Sequence, residues 1–331
     1  MNIKSKYYLL PAVVCLLGIA AMAFYCVCSS FSTQSDTHYL YIDNDDNADS
    51  VLAKLKPIAP EHAMTGLSMM MRHTGYCENI HTGRYAIEPG MKTYDVLRLL
   101  RNGQQTPIML TVPDVRTMEQ LAGRLSRKLM ADSTEIAALI VGDTLAPCLF
   151  VPDTYEVYWN ISADMLLERM RREHDAFWNS NGRRQLAADK GLTPDEVCTL
   201  ASIIDEETAN NGEKPAIAGM YLNRLRIGMP LQADPTVKFA MQDFKLRRIY
   251  NAHLETESPY NTYKNTGLPP GPIKIASKQG IDAVLHAENN DYLYMCAKED
   301  FSGTHNFART FSEHQKNAAR YVKALNQRGI K

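Results

Sequence analysis

The chain lacks an excess of either charge. Its 36 Lys and Arg face 37 Asp and Glu. Duplex nucleic-acid binders carry a basic excess, so no nucleic-acid partner is expected. It is short of cysteine, with seven in 331 residues, which excludes a disulfide scaffold. No C-x-x-C occurs, and the nine His form no H-E-x-x-H or similar pair, so neither a metal nor another cofactor is implied. The cysteines outside the N-terminal segment (Cys77, Cys148, Cys198, Cys296) read as small hydrophobes rather than bridges. Apolar residues at 45% and charged ones at 22% exclude a mainly disordered chain. The length suggests about two domains.

Charge is missing altogether from Tyr7 to Cys28 (YYLLPAVVCLLGIAAMAFYCVC). At ~1.5 Å per residue this run spans ~33 Å, enough for a bilayer core. Lys4 and Lys6 precede it, and no Lys or Arg follows until Lys54. The positive-inside bias therefore puts the tail 1–6 in the cytoplasm and the residues after the run on the extracytoplasmic side. A cleaved signal peptide is the competing reading. It would have a shorter apolar region ending in small residues, whereas Phe24, Tyr25 and Cys26 stand here. The same aromatics make Ala23–Cys26 a poor lipidation site.

Ser29 to His38 is polar and reads as a linker. Units of strand then helix come next: Tyr39–Ile42 with Asn47–Leu55, Gly83–Ile87 with Thr93–Leu100, and Ile108–Val112 with Thr117–Leu129. They predict a small α+β module over roughly 39–130. Leu149–Tyr155 reads as a connecting strand, and Met165–Trp178 as an amphipathic helix opening a mostly helical second domain.

Thr193-Pro194-Asp195-Glu196 is a helix start, with a capping Thr, Pro at the first position and Glu closing a capping box. Asn210-Asn211-Gly212 is the expected stop. On this helix Val197, Leu200, Ala201 and Ile204 form one apolar stripe, Glu206 points away from it, and Asp205 and Glu207 flank it. In the last turn the helix dipole is negative. That, with partial burial, would hold the Glu207 carboxyl protonated, as a general acid requires. An acidic run is equally what a solvated helix end carries, and spacing alone leaves both readings open.

Leu200-Ala-Ser-Ile-Ile-Asp-Glu-Glu-Thr208 resembles a motif of the YceG-like family of endolytic murein transglycosylases. The similarity continues through Glu213–Val237, Ser258–Tyr263, Gly267–Ile273, Tyr292–Tyr294 and His305–Phe307, and upstream through Gly83–Tyr85, Pro89–Met91 and Phe150–Tyr155. The resemblance implies an enzyme that cuts peptidoglycan glycan strands internally at the β-1,4 bond after N-acetylmuramic acid, leaving a 1,6-anhydro end. It implies an α+β fold in parts: anchor 7–28, linker 29–38, a LysM-like glycan-binding region over 39–148 and a mostly helical catalytic domain with short strands over 149–331. It places the catalytic acid at Glu207, with Asp205, Gln232, Asp234, Tyr260, Asn261, Tyr263 and His305 as substrate-binding candidates. Asp205, Glu206 and Lys214 depart from the family's Glu, Lys and Arg. The proline- and glycine-rich loop 267–273 reads as a wall of the cleft. Expected partners are glycan strands, the membrane and peptidoglycan synthases. A water-using muramidase and an inactive glycan-binding scaffold are the alternatives.

Overall fold

The computed structural model describes residues 3–246 and 248–328. The first two residues of the expected tail and the last three of the expected catalytic domain lie outside the described residues. The chain opens with α1 (Ile3–Cys28), whose stretch Leu10–Cys28 has a mean hydropathy of 2.3 and is exposed, long and apolar enough to cross a membrane. The chain divides between two compact units, the first comprising residues 3–110, α1 included, with Lys128–Ala131 and Glu156–Ser162.

In the first unit β1 (His38–Ile42) leads to α2 (Ala48–Leu55), α3 (Glu61–His73), β2 (Gly83–Ile87), α4 (Thr93–Arg101) and β3 (Ile108–Thr111), whose last residue belongs to the second unit. β1 and β2 pair antiparallel with Leu40 opposite Tyr85. Alternation decides the faces: Leu40 and Ile42 enter a core with Val51, Leu55, Leu67, Tyr85 and Val96, while Tyr39 and Tyr41 stay exposed. Asn47 caps α2 in a box with Ser50, which is why that helix is legible. α3 has no counterpart among the strand–helix units expected. Pro60 precedes it with no side-chain cap, and its only strong signal is apolar spacing. Ser29–His38 is not a free linker. Phe31 is fully buried in the core, its N–H bonds the Met91 carbonyl at 2.7 Å, and Thr33 N–H bonds the Ile58 carbonyl at 2.9 Å.

The second unit holds 111–127, 132–155 and 163–328. Its elements are α5 (Met118–Leu125), α6 (Ser133–Ile140), α7 (Ala146–Leu149), β4 (Thr154–Val157), α8 (Ala163–Asn179), α9 (Arg183–Asp189), α10 (Pro194–Glu207), α11 (Lys214–Arg226), α12 (Asp234–Met241), α13 (Asn251–Leu254), α14 (Lys278–Leu285), β5 (Tyr294–Ala297), β6 (His305–Ala308) and α15 (Phe311–Gln327). Most of 111–148 thus packs with the C-terminal unit, because α6 and α7 rest on α8 and α7 also on α10. Leu149–Tyr155 is not a continuous strand: α7 ends at Leu149 and β4 begins at Thr154.

The unit is built around α10, which packs on α14, α11 and α12. The expected single stripe is too narrow. Every residue from Val197 to Ile204 is buried, including Ser202, whose hydroxyl donates to the Thr199 carbonyl at 2.7 Å and accepts the Ile273 N–H at 3.0 Å. A helix apolar all round belongs inside a unit. α10 also stops at Glu207, three residues before the expected end, where Thr208 turns extended and its N–H closes on the Ile204 carbonyl. β5 and β6 form an antiparallel hairpin, with Cys296 opposite Asn306.

Candidate active site

Capping fixes the first turn of α10: Thr193 Oγ1 accepts the Glu196 N–H and Glu196 accepts the Thr193 N–H. The buried run then carries the helix through the core and delivers three consecutive acids at its last turn. They have three different destinations. Asp205 is nearly buried, paired with Lys214 at 2.7 Å, and accepts the Ser277 N–H at 2.6 Å and its hydroxyl at 2.8 Å. It braces the start of α14, so tightly that a Cβ on Gly280 would come within 2.6 Å of its carboxyl. Glu206 is half-buried, against Arg116 at 2.7 Å and Lys274 at 3.5 Å, rather than solvated. Glu207 enters a cavity.

That cavity, of about 290 Å³, is lined by Glu207, Met220, Tyr221, Arg224, Leu231, Gln232, Asp234, Tyr263, Met295, Cys296, Ala297 and His305. Glu207 Oε1 accepts a 2.7 Å hydrogen bond from the Tyr221 hydroxyl, which leaves Oε2 to carry a proton. Burial raises the Glu207 pKa to about 7. The Tyr221 hydrogen bond opposes that shift, and the charge of Asp234 adds to it. Tyr263 donates to Asp234 Oδ1 at 2.6 Å, and burial with that bond holds its phenol well above the ordinary value. Gln232, at positive φ (50°), enters just before α12 and is pinned by the Thr262 carbonyl. His305 opens β6. Its backbone N–H donates to Glu213 Oε1 at 2.6 Å and its Nδ1 lies 2.9 Å from Glu213 Oε2. An ionised carboxylate only accepts, so Nδ1 carries a hydrogen and Nε2 is the ring atom left for a ligand.

Of the residues singled out from the sequence, Glu207, Gln232, Asp234, Tyr263 and His305 meet in this cavity. Asp205, Tyr260 and Asn261 do not line it. Tyr260 packs on Phe239 with ring centroids 4.7 Å apart. Asn261 is fully buried and holds its own loop, donating to the carbonyls of Leu254 and Thr256 at 2.8 and 2.9 Å and accepting the Tyr263 N–H at 3.0 Å. The loop 267–273 is not part of the lining either. Tyr221, Arg224 and Glu213 were not foreseen. Tyr221 and Arg224 sit one turn apart on α11, but the helix also carries Lys214, Asn223 and Arg226, so its pattern does not set the two apart. Arg224 spends its guanidinium on the carbonyls of Leu293, Pro230 and Leu231 at 2.6, 3.1 and 2.8 Å, tying α11 to the far wall. Burial lowers its pKa. Among the described residues no group of three or more His, Cys, Asp or Glu is placed to hold a metal ion.

A single raised-pKa carboxyl, bonded by a tyrosine and facing neutral and carboxylate acceptors, can deliver a proton to an oxygen and take one back. The profile of the YceG-like family matches residues 40–320. Over 133 residues, 40% of this chain and 36% of the relative, the chain is 44% identical to the endolytic murein transglycosylase of Bacillus subtilis (strain 168). Over 296 residues, 77% of this chain and 53% of the relative, it is 27% identical to the endolytic murein transglycosylase of Streptococcus pneumoniae serotype 2 (strain D39). The chain thus spans between about a third and about half of the length of these curated relatives. A crystal structure of a YceG-like protein from Listeria monocytogenes superposes with a TM-score of 0.52 at 25% identity, covering 86% of this chain and 99% of that one.

Proposed function

The chain belongs to the YceG-like family, and from that premise and the chemistry of the cavity we propose that it is an endolytic peptidoglycan lytic transglycosylase with Glu207 as its acid and base. The observation that carries the reading is the Glu207 carboxyl, raised to about 7 inside a cavity, with one oxygen held by Tyr221 and the other open to substrate. Glu207 protonates the oxygen of the bond between N-acetylmuramic acid and N-acetylglucosamine. The bond from that oxygen to the anomeric carbon breaks. The C6 hydroxyl of the same muramic acid residue closes on that carbon and its proton returns to Glu207. No water is consumed, and the nucleophile is intramolecular, with the high effective concentration such closures have. Gln232, Asp234, Tyr263 and His305 supply polar contacts to the sugar as positive charge develops on its ring.

The remaining assignments are part of the same proposal. α1 is a single-pass anchor in the inner membrane, supported by its hydropathy and by the lysines that precede it. The first unit is a LysM-like glycan-binding module. The order β1-α2-α3-β2 with an antiparallel pair supports this, as does the exposed face of β1, where Tyr39 lies under Arg84 at 3.6 Å and Tyr41 meets Trp159 at 5.1 Å. Such aromatic surfaces suit the apolar faces of pyranose rings. A cutter held at the bilayer reaches newly made strands, which fits termination of elongation beside the peptidoglycan synthases.

The test is digestion of purified glycan strands by the protein and by Glu207→Gln, with product masses. Anhydro ends, lost in the variant, are the expected result. Full activity of the variant would remove Glu207 from the reaction. Products heavier by one water would replace the transglycosylase with a hydrolase, in which Asp234, the other carboxylate of the cavity, activates the water.

A further inference from the structure

The apolar run of α1 ends at Cys28, and the segment after it is tied down rather than tethered. Within the last turns of α1 the Tyr25 ring stacks on His62 of α3, centroids 4.6 Å apart. A Cβ on Gly66 would come within 2.5 Å of the Cys26 carbonyl oxygen, so α3 meets the α1 backbone directly. Ser29, the first polar residue past the run, accepts the Thr93 N–H at 3.2 Å, and Ser30 bridges Lys92. Phe31 then enters the core, fully buried. From Tyr25 to Ser29 the helix climbs only ~6 Å. Everything bonded to these residues therefore lies at the depth where α1 leaves the apolar part of a bilayer.

The side chains that α3 and α4 expose there are of the kinds an interface takes. Tyr94, next to Thr93, is 52% exposed, and Lys92 on its other side is exposed. Met69, one turn beyond Gly66, is 56% exposed. Tyr favours the headgroup level, Lys reaches phosphates from a buried stem, and Met adds apolar contact. We propose that α3 and the start of α4 rest on the outer surface of the bilayer that α1 crosses, with Tyr94 and Met69 in its interfacial layer and Lys92 against lipid phosphates. The partner is a phospholipid surface. The inference rests on the reading of α1 as membrane-spanning.

Tryptophan reporters in the full-length protein in lipid nanodiscs test it. Tyr94→Trp and Met69→Trp are compared with Phe24→Trp inside the apolar run and Tyr250→Trp on an exposed helix start of the second unit. The parent protein, which carries Trp159 and Trp178, gives the baseline. Lipids brominated high on the acyl chain should remove the added emission of the Tyr94, Met69 and Phe24 variants and leave that of the Tyr250 variant. Quenching at Phe24 with none at Tyr94 and Met69 overturns the proposal while leaving the anchor standing. No quenching at Phe24 overturns the anchor and the proposal with it. Acrylamide, a water-soluble quencher, gives the opposite order if the surface rests on lipid; equal access at positions 94 and 250 also overturns it.

Discussion

The proposed reaction sets Glu207 two opposed requirements, a proton at neutral pH and readiness to lose it. Burial satisfies the first and the Tyr221 hydroxyl tempers it. The acid form is the one that starts the proposed reaction, so kcat should fall as pH rises through about 7. The Tyr221 bond lowers the Glu207 pKa, so Tyr221→Phe should move that alkaline limb to higher pH, along with any loss in rate. A pH–rate profile of the two proteins checks both. The raised pKa also acts on folding. A carboxyl with its folded pKa raised contributes stability that is full below the ordinary carboxyl value and lost as pH rises through about 7. Glu207→Gln has no such cost of ionisation. Its Tm relative to the parent should therefore climb between about pH 4.5 and about 7 and level off above. A flat difference would mean that the carboxyl is not held protonated by the fold. Glu213 is the second residue whose role rests on one neighbour, since both its oxygens engage His305. Glu213→Gln should lower kcat roughly ten- to hundredfold by loosening the ring. In a double-mutant cycle with His305→Gln the second substitution should then add little; additive losses would place the two residues in separate tasks.

At the scale of the element, α10 does what no single residue does. It distributes three adjacent carboxylates to a salt bridge, a cation pair and a cavity. Asp205 is bonded to Lys214 and to the start of α14 with almost no exposure. Removing one partner of a buried pair strands the other, which costs ~3–5 kcal/mol. Asp205→Ala should therefore show as a large drop in Tm, and any loss of activity should track unfolding rather than substrate affinity. The start of α10, the strands β1 and β2 taken singly, α2 and α4 were legible because caps, alternation and stop signals are local. What was not legible is what the sequence leaves to distant partners. Ser277 lies 72 residues from Asp205, and nothing nearby shows that the first acid of the triplet turns inward. α11 is buried over nearly its whole surface, so it has no amphipathic phase to announce that Tyr221 faces a cavity. Asn261 and Tyr260 stand in a matching motif for the sake of their loop, and motif position alone does not separate a brace from a contact. Five of the eight residues singled out do line one cavity, because the lining of that cavity and the loops that hold it occur in the same stretches of chain.

At the scale of the whole molecule, the proposal makes α1 the feature that decides which glycan the chain meets. A chain tied to a bilayer searches only the layer within its own length of that surface, where its effective concentration is high and beyond which it is absent. The segment after α1 does not lengthen that reach, since Phe31 and Thr33 are held by the first unit. Exchanging the part of α1 before Tyr25 for a cleaved export signal keeps the contacts of Tyr25, Cys26 and Ser29 with α3 and α4, and with them the fold of the first unit. The freed protein should then cut strands throughout the wall and cut fewer of those still being made. In cells that depend on it, newly made glycan, labelled in a short pulse, should become longer, while mature strands become shorter. Digestion in solution by the two forms should be equal, because the cavity is the same. Pulse-labelled strands of unchanged length, with equal amounts of the two proteins present, would show that proximity to the bilayer does not select the substrate.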